Sequence, residues 1–231
     1  NPVGSEFQIN TYTGSDQDDP SVTGLKDGGF AVTWTSDDQD PWGQGIFGQR
    51  YDFLYNPASN NFSSTWINTT TTLNQNSPSI ASLSDGGFVV TWVSINQYDL
   101  WDDYGVLGQL HNSSGNRVGS EFRINTHTTG AQFENSVAGL SDGGFIVTWT
   151  SEGQNSDTDV YGQRYDSIGN PVGSEFQINT YIASGQRAPS VAGLSDGGFV
   201  VTWHSEYQDG ANRGIYGQRY DSLGNTTGAE F

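Results

Sequence analysis

The feature that most constrains this chain is an eight-residue segment that occurs four times. Asp27-Gly28-Gly29-Phe30-Ala31-Val32-Thr33-Trp34 returns, with small changes, at 85–92, 142–149 and 196–203, and the successive tryptophans stand 58, 57 and 54 residues apart. A second block, Gly48-Gln49-Arg50-Tyr51-Asp52, recurs from Gly108, Gly162 and Gly217. A third, Glu6-Phe7-Gln8-Ile9-Asn10-Thr11, recurs from Glu121 and Glu175, and more loosely over 65–69. Three blocks repeated in one order along 231 residues describe an array of a single structural unit.

Each unit reads as four strands. A short strand such as Ser21-Val22-Thr23-Gly24-Leu25 leads into Asp-Gly-Gly, whose glycines suit a tight hairpin. The next strand alternates Phe30, Val32 and Trp34 with Ala31 and Thr33, the two-residue period of a pleated sheet. A polar loop leads to a third strand over 46–52, and a Gly-Asn turn in three copies leads to the fourth. No window shows helical periodicity. The pattern predicts an all-β chain, a four-bladed β-propeller of four-stranded antiparallel blades, with repeats over about 7–65, 66–121, 122–175 and 176–231. A β-solenoid is the competing architecture, although its coils are usually shorter; a part of a larger propeller is another. Phe7, Trp66, Phe122, Phe176 and Phe231 are equivalent, so both ends fall in the same strand class. The expectation is that residues 1–10 complete the blade containing Trp203. Thr226 to Phe231 then lie outside it, frayed or added to a neighbouring molecule by strand pairing.

The strings Asp-Gly-Gly-Phe-Val-Val-Thr-Trp, Tyr-Gly-Gln-Arg-Tyr-Asp and Gly-Ser-Glu-Phe-Gln-Ile-Asn-Thr resemble the tandem repeats of large secreted bacterial surface proteins, often RTX-type adhesins. The resemblance spans all four repeats. It implies an extracellular, calcium-rich setting and an adhesive or structural role, and it carries no catalytic set. The glycine-rich calcium-binding nonapeptide of RTX proteins is absent here.

Charge narrows the partners. Eight basic residues face 26 acidic ones, for a net charge of −18, which repels nucleic acid and favours cations. There is no cysteine, so no disulfide scaffold and no thiolate metal site. No apolar run approaches membrane-spanning length. There is no methionine, so the chain reads as a processed mature protein or a piece of a longer one. Four Asn-x-Ser/Thr sequons, at Asn61, Asn68, Asn112 and Asn225, matter only in a glycosylating host.

Polar constants accompany the core pattern. Gln49, Gln109, Gln163 and Gln218 lie in the third strands, and Asn10, Asn68, Asn125 and Asn179 close the fourth, either as buried amides that satisfy backbone or as a repeated site for a polyhydroxylated ligand. Arg50, Arg164 and Arg219 each precede an aspartate by two residues and share a strand face with it, which suggests an ion pair; repeat two has Leu110 and Asn112 instead. The loops between second and third strands vary most. Gln39, Gln97, Gln154 and Gln208, with Trp42, Trp101 and Tyr207, offer the amides and rings of a sugar-binding groove, or else cap the blades. Asp37, Asp40, Asp102, Asp103, Asp157, Asp159 and Asp209 offer the hard oxygens of Ca2+ sites, or else form solvated acidic loops. His111, His127 and His204 fall at non-equivalent positions, and no carboxylate pair stands out for glycoside hydrolysis. The sequence reading is therefore a non-catalytic extracellular binding module for glycans or surface polysaccharide, with Ca2+ as the candidate ion. The alternative is a structural subunit of a filament, layer or adhesin stalk, self-associating through its terminal strands.

Overall fold

The Asp-Gly-Gly turns shape the chain as the repeat predicts. In each, the aspartate Oδ1 accepts the N–H of the second glycine, at 2.8–3.1 Å. The first glycine is left-handed, with φ between +84° and +96°. The second is needed for a different reason. A Cβ there would lie 2.2–2.4 Å from the carbonyl oxygen of Tyr51, His111, Tyr165 or Tyr220 on the third strand.

A computed structural model describes residues 4–40, 43–57, 63–95, 104–154 and 157–231. Their strands form four antiparallel sheets in sequence order. Blade one is β1 (Gln17–Gly24), β2 (Phe30–Asp40), β3 (Gly43–Tyr51) and β4 (Ser63–Trp66). Blade two is β5 (Gln75–Ser82), β6 (Phe88–Ile95), β7 (Tyr104–His111) and β8 (Arg117–Arg123). Blade three is β9 (Gln132–Gly139), β10 (Phe145–Ser151), β11 (Asp159–Tyr165) and β12 (Pro171–Gln177). Blade four is β13 (Gln186–Gly193), β14 (Phe199–Glu206), β15 (Arg213–Tyr220) and β16 (Thr226–Thr227). No helix occurs among the described residues. The all-β four-bladed propeller is the architecture observed.

Blades pack face to face, which is why β6 and β10 are buried almost throughout. One half of each contact comes from the preceding blade. Ala81, Leu83, Val89, Val106, Leu110 and Ile124 of blade two meet Val137, Phe145, Val147, Trp149, Tyr161 and Tyr165 of blade three. The Phe of each second strand stacks on the last aromatic of the third: Phe30 on Tyr51, Phe145 on Tyr165 and Phe199 on Tyr220, with centroids 4.6–4.9 Å apart. Blade two uses His111 on Phe88 instead.

The amides are structural. Asn68, Asn125 and Asn179 each accept a third-strand N–H from Ile46, Val106 or Val160 at 2.7–2.9 Å. Gln49, Gln109, Gln163 and Gln218 donate to the carbonyl of the following residue. The expected arginine pairs are different ones. Arg50, Arg164 and Arg219 bind Asp27, Asp142 and Asp196 of the Asp-Gly-Gly turns. Asp52, Asp166 and Asp221, and Asn112 in blade two, accept backbone N–H groups of the turn that follows them.

The terminal strands also fall otherwise than expected. The C-terminal copy fills the outer place of blade four: Arg219 pairs with Thr227, and Gly217 and Phe231 exchange N–H···O bonds of 3.0 and 2.9 Å. The N-terminal copy lies on blade one. Ile9 packs with Val32, Trp34 and Phe47, and the Tyr51 hydroxyl donates to the Ile9 carbonyl at 3.3 Å. Complete through Asn10-Thr11 in sequence, it nevertheless leaves the edge of β15 to the C-terminal segment.

Candidate functional site

The propeller has two unlike ends. The lower one carries the Asp-Gly-Gly hairpins, which surround a mouth of about 470 Å³ lined by Leu25, Leu83, Leu140, Leu194 and their Gly and Ser neighbours. Among the described lining residues Lys26 alone is charged. The upper end gathers the starts of the inner strands, the ends of the second strands and the starts of the third.

There the inner strands share a frame, Gln-x-x-(Pro/Asn)-Ser, beginning at Gln17, Gln75, Gln132 and Gln186. The second variable residue is left-handed in every blade: Asp19, Ser77, Glu134 and Ala188 have φ of 51–54°. This is uncommon for residues with a Cβ and gathers where function overrides backbone preference. A register shift at each point bulges the strand and re-aims the variable side chains.

Between blades two and three this geometry opens a cleft of about 370 Å³, lined by Asn76, Ser77, Val93, Tyr104, Ala131, Phe133, Glu134 and Glu152. Two rings and two carboxylates thus share one depression of ligand size. Glu134 is held firmly: its Oε2 accepts the Thr150 hydroxyl at 2.8 Å and the Ala188 N–H at 2.8 Å. Arg187 lies over the Phe133 ring at 5.6 Å and reaches Glu152 at 3.7 Å. Beyond it Arg213 pairs with Glu206 at 3.0 Å. His204 sits among these charges, with its pKa lowered first by burial and then by Arg213. Rings and carboxylates lining one depression are the kinds of group that contact a polyhydroxylated ligand.

The loop residues singled out in the sequence lie elsewhere. Gln39 and Gln154 accept the hydroxyls of Ser36 and Ser151 at 3.0 and 3.1 Å. Gln154 and Gln208 donate to Glu175 and Glu230 of the outer strands. Tyr207 is exposed in a turn closed by its N–H to Asn212. Trp42, Gln97, Trp101, Asp102 and Asp103 lie outside the described residues, as does the side chain of Asp40. Asp159 is buried and accepts the Asn179 amide at 2.6 Å. Asp157 and Asp209 are exposed and cap local N–H groups, and Asp37 is half-buried at the end of β2. Among the described residues no three His, Asp or Glu are grouped to hold a metal ion. Sequence reading missed Tyr104, Phe133 and Glu134; the signal available was that Phe133 and Glu134 are the variable pair inside an otherwise fixed frame.

No family model and no curated protein matches the chain. Solved structures do. The α-L-arabinanase of Penicillium chrysogenum, complexed with arabinobiose, aligns with TM-score 0.60 and 16% identity over 93% of this chain and 66% of its own. The endo-arabinase of Bacteroides thetaiotaomicron gives 0.58 and 14% over 90% and 78%. The α-L-arabinofuranosidase of Lactobacillus brevis gives 0.53 and 11% over 93% and 73%. The chain thus spans just under two thirds of the arabinanase. At these identities the likeness is one of fold, and the fold is the propeller. It overturns the expectation of a non-catalytic adhesion or filament module, and of a chain that is no enzyme: these arabinan-acting neighbours and a thermostable family-43 enzyme of the same fold are glycoside hydrolases.

Proposed function

We propose that the protein is a carbohydrate-active propeller that hydrolyses a glycan held in the upper cleft between blades two and three. The observation that carries this reading is the convergence of Tyr104, Phe133, Glu134 and Glu152 on that cleft. Aromatic faces stack on the apolar faces of sugar rings, and a pair of carboxyl groups suffices for glycosidic cleavage. Glu134, fixed by Thr150 and Ala188, suits the carboxylate that acts as base or nucleophile. Glu152, at the edge of the same cleft, supplies the second carboxyl group of the pair. The arabinan-acting names of the fold neighbours favour pentose polymers as the first substrates to try.

The test is release of reducing ends from arabinan, xylan and a hexose polymer. The proposal expects turnover on at least one, falling about 100-fold or more in Glu134→Gln and in Glu152→Gln, the usual scale for losing an acid–base group. Turnover that survives both changes, or a wild-type protein that leaves every polymer intact, would overturn it.

A further inference from the structure

We infer that the arc of four blades is open between blade four and blade one, and that this sector receives one further blade of the same repeat, which borrows residues 5–10 as its outer strand. The inference concerns the flanks of the arc and is independent of the cleft.

Blades two and three, and blades three and four, each share one phenylalanine. Phe122 covers Gly108 of its own blade, where a Cβ would meet its ring at 3.2 Å, and its ring lies 5.6 Å from Tyr165 of the next. Phe176 does both for Gly162 and Tyr220, at 3.4 and 5.6 Å. Between blade four and blade one these two contacts come from two separate residues. Phe231 covers Gly217, while Phe7 lies 5.5 Å from Tyr51. Blades four and one are therefore not consecutive, and Phe7 belongs to a blade between them.

The flanks agree. Ile215 of blade four is 76% exposed, whereas its equivalents Ile46, Val106 and Val160 are fully buried against the next blade. Val22 of blade one is 65% exposed, whereas Ile80 and Val137 are 6% and 7% exposed. Ser21, Ser79 and Ser136 each accept an inner-strand N–H of the following blade, at 3.2–3.3 Å. Ser190, next in that series, is exposed. A Cβ at Gly139 or Gly193 would strike the preceding blade at 2.2–2.3 Å, but one at Gly24 would meet nothing. On blade one, among the described residues, Val32, Trp34 and Phe47 have received only Ile9 of the apolar set that a preceding blade supplies. Both open flanks are halves of an interface the molecule makes three times, so the complementary surface is another copy of the repeat.

The test joins a copy of residues 132–169 ahead of Asn1, which matches Asn170 in the repeat. The inference expects the extended chain to be monomeric and to unfold at higher urea than the original. It also expects Ile215→Asp to leave the original chain's midpoint unchanged and to lower that of the extended chain. An extended chain no more stable than the original, with Ile215→Asp silent in both, would overturn it. So would an original chain that is monomeric yet destabilised by Ile215→Asp, since its ring would already be closed. Dimers of the original chain that Ile215→Asp dissociates would overturn it too, by assigning the sector to a second copy.

Discussion

His111 stands where the other blades place Tyr51, Tyr165 and Tyr220, stacked on Phe88 at 4.9 Å and buried. Burial, and then Arg117, push its pKa down to about 3 from an ordinary 6.5. Well above pH 6.5 it is neutral whether folded or not. Below, the unfolded chain takes up a proton that the folded chain refuses, so stability falls by up to about 1.4 kcal/mol per pH unit until the folded pKa is reached. Between pH 7 and pH 5 the wild type should therefore lose about 2 kcal/mol more than His111→Tyr in urea unfolding; parallel losses would acquit the histidine. Gly144→Ala should cost more than about 1 kcal/mol, because its Cβ would fall 2.2 Å from the Tyr165 carbonyl oxygen; an unchanged midpoint would show that β11 yields. The sequence announced the left-handed first glycine through the turn. The second glycine depends on how close a neighbouring strand comes, which spacing along one strand does not reveal. The same holds for Arg164, whose partner Asp142 lies across the hairpin rather than two residues along.

At the level of strands, order and pairing were legible because three blocks recur in fixed sequence. The inner-strand bulge was not. Its constant residues looked like ordinary strand, and only the φ values of Asp19, Ser77, Glu134 and Ala188 show that the variable pair turns out toward the upper end. Tyr104, the first residue of β7, lines the same cleft. The outer strand of blade four was misassigned for a chain-length reason: the C-terminal copy is short, but it follows β15 directly. Removing residues 226–231 strips the Gly217–Phe231 bonds and the Thr226–Thr227 pairs from that sheet. The loss should be on the order of 2 kcal/mol, from a few net hydrogen bonds. A truncated chain as stable as the original would return the outer place to the N-terminal segment.

On the scale of the whole molecule, a net charge of −18 sets blades of like sign around one axis. Raising NaCl from 10 to 150 mM shortens the screening length from about 30 to about 8 Å. The thermal midpoint should rise with it, and a flat response would mean that the charges are already dispersed. Propeller architecture was readable from the repeat, while the open sector was not, because equivalent residues carry the same letters whether or not a neighbour covers them. The cleft was only half legible: the acidic loops that drew attention in the sequence include Glu152, whereas Glu134, which lines the same cleft, lies in an inner strand. The most direct measurement is a crystal structure of Glu134→Gln soaked with an oligosaccharide of the polymer the wild type cleaves. The account predicts sugar density in the cleft between blades two and three, a ring against Tyr104 or Phe133, and a glycosidic oxygen between residues 134 and 152. Sugar bound only elsewhere, with that cleft empty, would contradict it.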